Sequence, residues 1–307
     1  MDIVLSQFFI VGVILLAGFS GPAIAVVFML RRKRRARARR RSPIGKDLLR
    51  SPGHSLRGQM DQLHTEVDFD LLQLMFLPLL MLTVFLAQGH VMGLDRVMPL
   101  TPVFVGLAVA AVGWTIRKLL STSKQLDRLR AGYDAELAVG QELDQLMRQG
   151  AVVFHELPAD GFNIDHVVIS AQGVFAVETK GYTKPKRGSG KGDATVRFDG
   201  KMLSFPTWQT SDPLEQAERQ AVWLAKWLVL ATGSPIAALP VVALPGWFVE
   251  RTGRGNVRVF NGKELAGLLN ARGAQMLSPQ QVQQVAHQVE QRCRTVAPTY
   301  AEMSKSS

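Results

Sequence analysis

The chain has 307 residues, which is enough for one sizeable soluble domain and a second region. It carries 36 Lys and Arg against 25 Asp and Glu, but residues 31–50 alone account for +10 of the net charge of +11. The excess of positive charge therefore lies in one short segment, and this excludes a uniformly basic domain. The single cysteine, Cys293, excludes an intramolecular disulfide and a cysteine-based zinc cluster.

Residues 3–30 form an uncharged apolar stretch, longer than the roughly 20 residues that span a bilayer. A cleaved signal peptide is the alternative, because the Ala-Ile-Ala at residues 23–25 imitates a cleavage site. A signal peptide, however, carries positive charge before its apolar core, whereas here Asp2 precedes the core and arginines follow it. We therefore expect residues 1–30 to be a retained transmembrane helix.

Two further apolar segments, residues 71–89 and 99–116, lie within a predicted membrane region of residues 71–118. Trp114 and the following basic pair form an interfacial signature at the end of the second segment. The alternative is a buried helical hairpin of a soluble domain. With three spans, the positive-inside rule predicts a plasma-membrane protein with its N-terminus outside and everything after Lys118 in the cytoplasm.

Residues 31–70 are predicted to be an Arg-rich cytoplasmic loop. An arginine run can bind nucleic-acid phosphates, but this run directly follows an apolar segment and sets membrane topology. We expect it to contact anionic lipid headgroups, at about 1 kcal/mol for each basic residue near the surface. The lipid bilayer is therefore one predicted partner.

Beyond residue 119 the pattern predicts alternating helices and strands, and therefore an α/β fold. A helix is predicted to end at Gly150, and Asp199-Gly200 reads as a hairpin turn. The remaining predicted elements are strands at 151–156, 164–170, 174–180, 239–245 and 256–260 and helices opening at Asp212, Asn261 and Ser278. We expect a domain at residues 119–260, built on one central mixed sheet, and C-terminal helices with a tail at 261–307.

Three charged residues interrupt two strands that are otherwise apolar. Asp165 opens the first strand, and Glu178 and Lys180 end the second, on the same face because side chains alternate along a strand. Pairing through the turn after residue 170 brings Asp165 towards the same end of the sheet. Two carboxylates at one point favour a hard divalent cation, Mg²⁺ or Mn²⁺. A structural ion pair with Lys180 is the alternative, and spacing leaves both open.

Four motifs follow one another along the chain: GYDAE at 132–136, IDH at 164–166, GVFAVETK at 173–180 and DPLEQ at 212–216. By these motifs and their order, the chain resembles the nuclease-related NERD domains of the PD-(D/E)xK nuclease superfamily over roughly residues 130–245. The resemblance implies a restriction-endonuclease-like mixed sheet flanked by helices. It further implies that Asp165 and Glu178 bind the metal, that Lys180 serves the nucleophilic water, that Glu136 completes the acidic site and that Gln216 faces it.

A Gly- and Lys-rich loop follows the second of these strands and departs from the family's pattern by its length. Its spacing fails the test for a phosphate-binding P-loop, because Gly192 stands where Ser or Thr is required. The loop carries four basic side chains that fit a nucleic-acid backbone: Lys184, Lys186, Arg187 and Lys191. A solvated charged loop is the alternative.

Together these features predict a membrane-anchored, divalent-metal-dependent nuclease that acts on DNA or RNA in the cytoplasm. The alternative is a catalytically weak or inactive nuclease-like module that binds nucleic acid at the membrane, since a fold does not guarantee chemistry. A transporter is disfavoured because the predicted spans carry no charged residue.

Overall fold

The computed structural model describes residues 27–28, 31–32, 43–93, 99, 101–184, 191–270 and 275–298. The chain divides into two compact units. The helical unit comprises Met1–Ile44, Asp61–Leu126 and Thr299–Ser307. The α/β unit comprises Gly45–Met60 and Asp127–Pro298, so it includes a segment that precedes most of the helical unit in the sequence.

Two long helices, α1 (His54–Met92) and α2 (Thr101–Asp144), supply most of the described part of the helical unit. Residues up to Met60 of α1 and from Asp127 of α2 belong to the α/β unit. Both helices are long and apolar enough to cross a membrane, judged by length and composition, and their apolar segments are almost entirely exposed. The Lys118 ammonium lies 2.7 Å from the buried Asp70 carboxylate, and the rings of Phe85 and Phe104 meet edge to face. A core helix of a soluble domain would bury its apolar side chains, so this exposure disagrees with the buried-hairpin alternative.

The helical region differs from the prediction in number and in boundaries. The structure describes two long apolar helices where the sequence predicts three, and residues 3–30 lie outside the described part of the chain apart from helical residues 27–28. The predicted loop of residues 31–70 is wrong from His54 onwards, because α1 begins there. Likewise α2 runs without a break through residue 119, since no proline separates its apolar and polar halves.

The α/β unit is built on a five-stranded mixed sheet. Its strands are β2 (Val152–Pro158), β3 (Asn163–Ser170), β4 (Gly173–Thr179), β8 (Ala238–Ala243) and β10 (Arg258–Phe260). Their order across the sheet is β10-β8-β4-β3-β2. Strands β2, β3 and β4 are antiparallel neighbours, whereas β8 lies parallel to β4 and to β10. The prediction of a mixed α/β domain is confirmed.

A second sheet has four strands: β5 (Thr195–Phe198), β6 (Leu203–Ser204), β7 (Gln209–Thr210) and β9 (Phe248–Arg251). Their order across the sheet is β7-β6-β5-β9. The predicted Asp199-Gly200 turn joins β5 to β6, with Gly200 at φ +103°, where a side chain would be strained. The expectation of one central sheet is wrong, because β9 pairs with β5 rather than with β8 or β10.

A two-stranded sheet joins distant parts of the α/β unit: β1 (Leu48–Leu49) pairs with β11 (Arg294–Val296). Helices α3 (Asp212–Thr232) and α4 (Pro279–Cys293) and short 3₁₀ helices at Gln145–Gln149, Lys191–Ala194 and Gly262–Asn270 complete the unit. Gly150 ends the first of these in the left-handed conformation, and Ser278 opens α4, both as predicted. Ser278 also forms a capping box with Gln281. Ser211, rather than Asp212, occupies the N-cap of α3.

Strand β4 lies at the centre of the α/β unit, and every residue of it is buried. Val174 and Ala176 pack with the cluster that includes α3, whereas Phe175 and Val177 pack on the opposite face with α2 and residues 262–270. Burial on both faces explains why the strand reads as a continuous apolar run. Because side chains alternate, Glu178 follows Val174 and Ala176 onto the face that carries α3.

Candidate functional site

The β3–β4 hairpin brings the two predicted carboxylates together. Its register runs from Ser170 opposite Gly173 to His166 opposite Val177, so Asp165 and Glu178 follow directly after the last paired residues. The Asp165 Oδ2 atom accepts a hydrogen bond of 2.7 Å from the backbone N–H of Thr179. The proximity that the spacing predicts is therefore present in the structure.

Glu178 is buried, and both of its carboxylate oxygens are engaged. The Lys180 ammonium lies 2.6 Å from Oε1, and the Gln220 side-chain amide donates a hydrogen bond of 2.5 Å to Oε2. Lys180 also donates to the Gln216 side-chain oxygen over 2.9 Å. A buried carboxylate is costly unless it is paired, and this one is paired by a cation and by an amide.

Helix α3 supplies the two amides of the site from adjacent turns. Gln216 reaches Lys180, as the resemblance implies, whereas Gln220 was not singled out from the sequence. Its position in the sequence could have indicated this role. Residues four apart on a helix share one face, so Gln220 faces the same site as Gln216. The same Gln220 amide also lies 3.4 Å from the backbone carbonyl of Asn163, the first residue of β3.

Glu136 lies on α2, is only 8% exposed and is near enough to Glu178 and Asp165 for their charges to interact. Burial is the first cause that raises its pKa to about 8, followed by the negative charges of Glu156 and Glu178. Its Oε2 atom has no hydrogen-bond partner among the described residues. Among the described residues, the backbone N–H of Gly53 is what favours the charged form of Glu136, and two carboxylates oppose it.

Glu156 is a further buried carboxylate, which the sequence reasoning missed. It lies on β2 with φ +53°, a conformation that few residues other than glycine adopt, and is 1% exposed. The backbone N–H and hydroxyl of Ser55 donate to Oε1 over 3.2 and 2.8 Å, and the Asn163 side chain donates to Oε2 over 2.9 Å. Glu156 is a charged residue in the largely apolar strand β2, and this could have marked it as a candidate in the sequence.

The pKa values at the site show an excess of negative charge. Burial raises the pKa of Asp165 well above its ordinary value, and the charges of Glu178 and Glu136 raise it further. Burial lowers the pKa of Lys180, but Glu178 and Asp165 more than offset this, so the net direction is upwards. Lys180 is therefore held as an ammonium ion by the acids around it.

The residues at the site fit a hard divalent cation by their donor chemistry. Within the described ranges, no three His, Cys, Asp or Glu side chains are already arranged to hold a metal ion. Mg²⁺, however, is commonly bound by one or two carboxylates, with water and substrate phosphate as its other ligands. The unpartnered Glu136 oxygen and the mutual repulsion of the acids both indicate a site that gains from an added positive charge.

The basic loop after β4 is only partly described. The Lys184 ammonium lies over the Trp247 ring, 5.9 Å from its centre, beside the second sheet. Lys191 begins the short 3₁₀ helix Lys191–Ala194. Lys186, Arg187 and the side chain of Lys191 lie outside the described residues.

The hairpin, its two acids, its lysine and the amides of α3 form one cluster of polar side chains in an α/β domain. Residues 131–245 match the model of the NERD family, described as a nuclease-related domain, and this part of the chain is therefore a NERD domain. The recognition made from the sequence is confirmed. Neither a curated protein nor a solved structure matches the chain.

Proposed function

We propose that this protein is a membrane-anchored nuclease that hydrolyses phosphodiester bonds of DNA or RNA and depends on Mg²⁺ or Mn²⁺. One observation carries the proposal: the β3–β4 hairpin of a NERD domain brings Asp165, Glu178 and Lys180 to one point. The resemblance to the PD-(D/E)xK superfamily supports this proposal, since it implies the same three residues.

Asp165 and Glu178 are the residues that would hold the cation, with Glu136 completing the acidic site. A bound divalent cation would supply an activated water molecule and stabilise the negative charge that develops on the phosphate. The backbone N–H of Thr179 donates a hydrogen bond to Asp165 Oδ2, and this bond fixes the orientation of the carboxylate.

Lys180 has two possible roles at such a site: it deprotonates the attacking water, or it orients the water and neutralises charge. Its raised pKa favours the second role, because an ammonium ion donates hydrogen bonds to phosphate oxygens and cannot accept a proton. Gln216 positions the ammonium through a hydrogen bond of 2.9 Å, and Gln220 positions Glu178.

We further propose that α1 and α2 anchor the protein in the plasma membrane. Their exposed apolar segments support this, since exposed apolar surface of this extent is costly in water. With residues 3–30 as a first span, the N-terminus lies outside and the NERD domain in the cytoplasm. The arginines of residues 31–41 then face anionic headgroups on the same side.

A nuclease-like module that binds nucleic acid without cutting it is the second candidate. The specific observation in its favour is that Lys180 and Gln220 already engage both oxygens of Glu178. The same contacts are expected if Glu178 and Lys180 form an ion pair with a purely structural role. A metal then has to displace at least one of these contacts before Glu178 can bind it.

The test uses the full-length protein with labelled single- and double-stranded DNA and RNA, in Mg²⁺, in Mn²⁺ or in EDTA. We expect cleavage that requires the metal and is lost in Lys180→Ala. Lys201→Ala is the matched control, because Lys201 is an exposed lysine in the β5–β6 turn. Absence of cleavage under every condition, or equal cleavage by Lys180→Ala, would overturn the proposal and favour the binding module.

A further inference from the structure

A groove of about 840 Å³ runs along the exposed face of α3 and begins at the candidate site. We call it the α3 groove; its lining includes Phe162, Gln216, Arg219, Gln220, Trp223 and Lys226. Gln216 and Gln220 belong to both features, because their side chains also bind Lys180 and Glu178. Whatever occupies this groove therefore lies directly beside the acids and the lysine.

One wall of the α3 groove consists of aromatic rings in fixed orientations. The Phe162 ring, partly exposed, meets the Trp223 ring edge to face at 5.7 Å. Trp223 is parallel to Trp227, the Arg292 guanidinium lies over both indole rings, and the Trp223 N–H donates to Asp160 over 3.1 Å. Because these contacts hold the rings in place, the wall offers a rigid apolar surface to a flat ligand.

The charges of the groove are balanced, so its aromatic wall, rather than an excess of cations, distinguishes a single strand from a duplex. Arg219 and Lys226 stand seven residues apart on α3, which corresponds to about 10 Å along the helix axis. Glu215 and Glu218 also line the groove, so the four charges cancel. Binding of duplex DNA relies mainly on an excess of cations along two phosphate backbones, which this groove lacks.

We propose that the α3 groove binds the unpaired bases of a single-stranded nucleic acid and leads its backbone to the site at Asp165 and Glu178. Bases stack on aromatic side chains without regard to sequence, and only unpaired bases have a face free to do so. Arg219 and Lys226 contact the phosphates that flank the stacked bases. This inference names the substrate class of the proposed nuclease and rests on that proposed function.

The first test measures binding of a fluorescein-labelled oligothymidylate to the full-length protein in EDTA, where no metal-dependent cleavage occurs. Val222→Glu places a negative charge in the groove at a residue that is 55% exposed, so the variant is expected to fold. Leu230→Glu is the matched control, since Leu230 lies on the same helix, is 85% exposed and is not among the groove's lining residues. We expect Val222→Glu to weaken binding about tenfold or more and Leu230→Glu to leave it unchanged.

The second test needs no variant. An oligonucleotide that carries 5-iodouracil is crosslinked to the wild-type protein by light, and the modified peptide is identified by mass spectrometry. We expect the crosslink at Phe162 or Trp223. A duplex that binds as tightly as the single strand, or crosslinks confined to residues outside the groove, would overturn the inference. A photoactivatable lipid that labels Phe162 where the oligonucleotide does not would assign the groove to lipid, with the same consequence.

The two proposals fail in different ways. If Val222→Glu weakens strand binding but no substrate is cut in Mg²⁺ or Mn²⁺, the groove inference stands and the nuclease proposal fails. If the protein cuts nucleic acid and Val222→Glu binds as well as Leu230→Glu, the nuclease proposal stands and the groove inference fails.

Discussion

The free energy of unfolding of the metal-free wild-type protein should fall as the pH rises, and replacing Glu136 with Gln should reduce this fall. The folded protein holds the Glu136 proton up to a pKa of about 8, whereas the unfolded chain releases it near 4.5. Between these values the folded state binds more protons than the unfolded state, so the free energy of unfolding falls with increasing pH. Glu136→Gln keeps the shape of the side chain and carries no proton to lose.

The size of the effect follows from the part of this interval that the assay covers. Each pH unit corresponds to about 1.4 kcal/mol, so the range from pH 5.5 to the pKa of about 8 amounts to roughly 3.5 kcal/mol. For a domain of about 150–250 residues, this corresponds to a change in Tm of about 7–14 °C. The buried Asp165 carboxyl, whose pKa is also raised, acts in the same direction in the wild type and in the variant.

The assay is thermal unfolding of the full-length protein in detergent and EDTA at pH 5.5 and at pH 8.5. We expect the Tm of Glu136→Gln, relative to wild type, to be higher at pH 8.5 than at pH 5.5. Glu142→Gln, which removes another acidic side chain from the same helix, is the control for the loss of a negative charge. Equal differences for Glu136→Gln at the two pH values would show that Glu136 ionises freely, and the account of a buried acid with a raised pKa would be wrong.

The remaining predictions concern the metal, the acid network and the topology. Mn²⁺ should raise the Tm of the wild type and of Lys180→Ala but not of Asp165→Asn or Glu178→Gln, because only the latter two lose a carboxylate; stabilisation of all four proteins would place the metal elsewhere. Ser55→Ala should lower the free energy of unfolding by about 1.5–3 kcal/mol in chemical denaturation, because Glu156 loses a hydroxyl donor at 2.8 Å; an unchanged midpoint would contradict this. A reporter at the C-terminus should be cytoplasmic and one at the N-terminus outside, and the reverse pattern would refute the three-span topology. Replacing the arginines of residues 31–41 with Gln should disturb orientation or membrane binding and leave metal-dependent stabilisation intact, as measured by fractionation and by melting.

Local signals allowed much of the α/β unit to be predicted from the sequence. Strand alternation together with the turn after Ser170 correctly brought Asp165 to the end of the hairpin that carries Glu178 and Lys180. Gly150 and Ser278 correctly marked a helix end and a helix start, because capping depends on a few neighbouring residues. These features required no knowledge of distant contacts.

The features that the sequence reasoning missed depend on pairing between distant parts of the chain. Strand β9 pairs with β5 across some fifty residues, so no local pattern reveals that the strands form two sheets. Arg50 is another example, because its guanidinium contacts Thr295 at 2.8 Å. The start of α1 was missed because the charge of residues 31–50 suggested a loop, whereas helix formation from His54 needs only the absence of breakers.

The contacts of Ser55 change what counts as the nuclease domain. Ser55 lies in the first turns of α1, within the part of that helix that belongs to the α/β unit, and it holds Glu156 by two hydrogen bonds. Glu156 in turn is one of the charges that raise the pKa of Glu136. A segment that precedes the apolar part of α1 therefore sets the electrostatics of the candidate site. A fragment that begins at residue 119 lacks this segment together with β1, the partner of β11, so a fragment that keeps all described contacts of the α/β unit has to include residues 45–60.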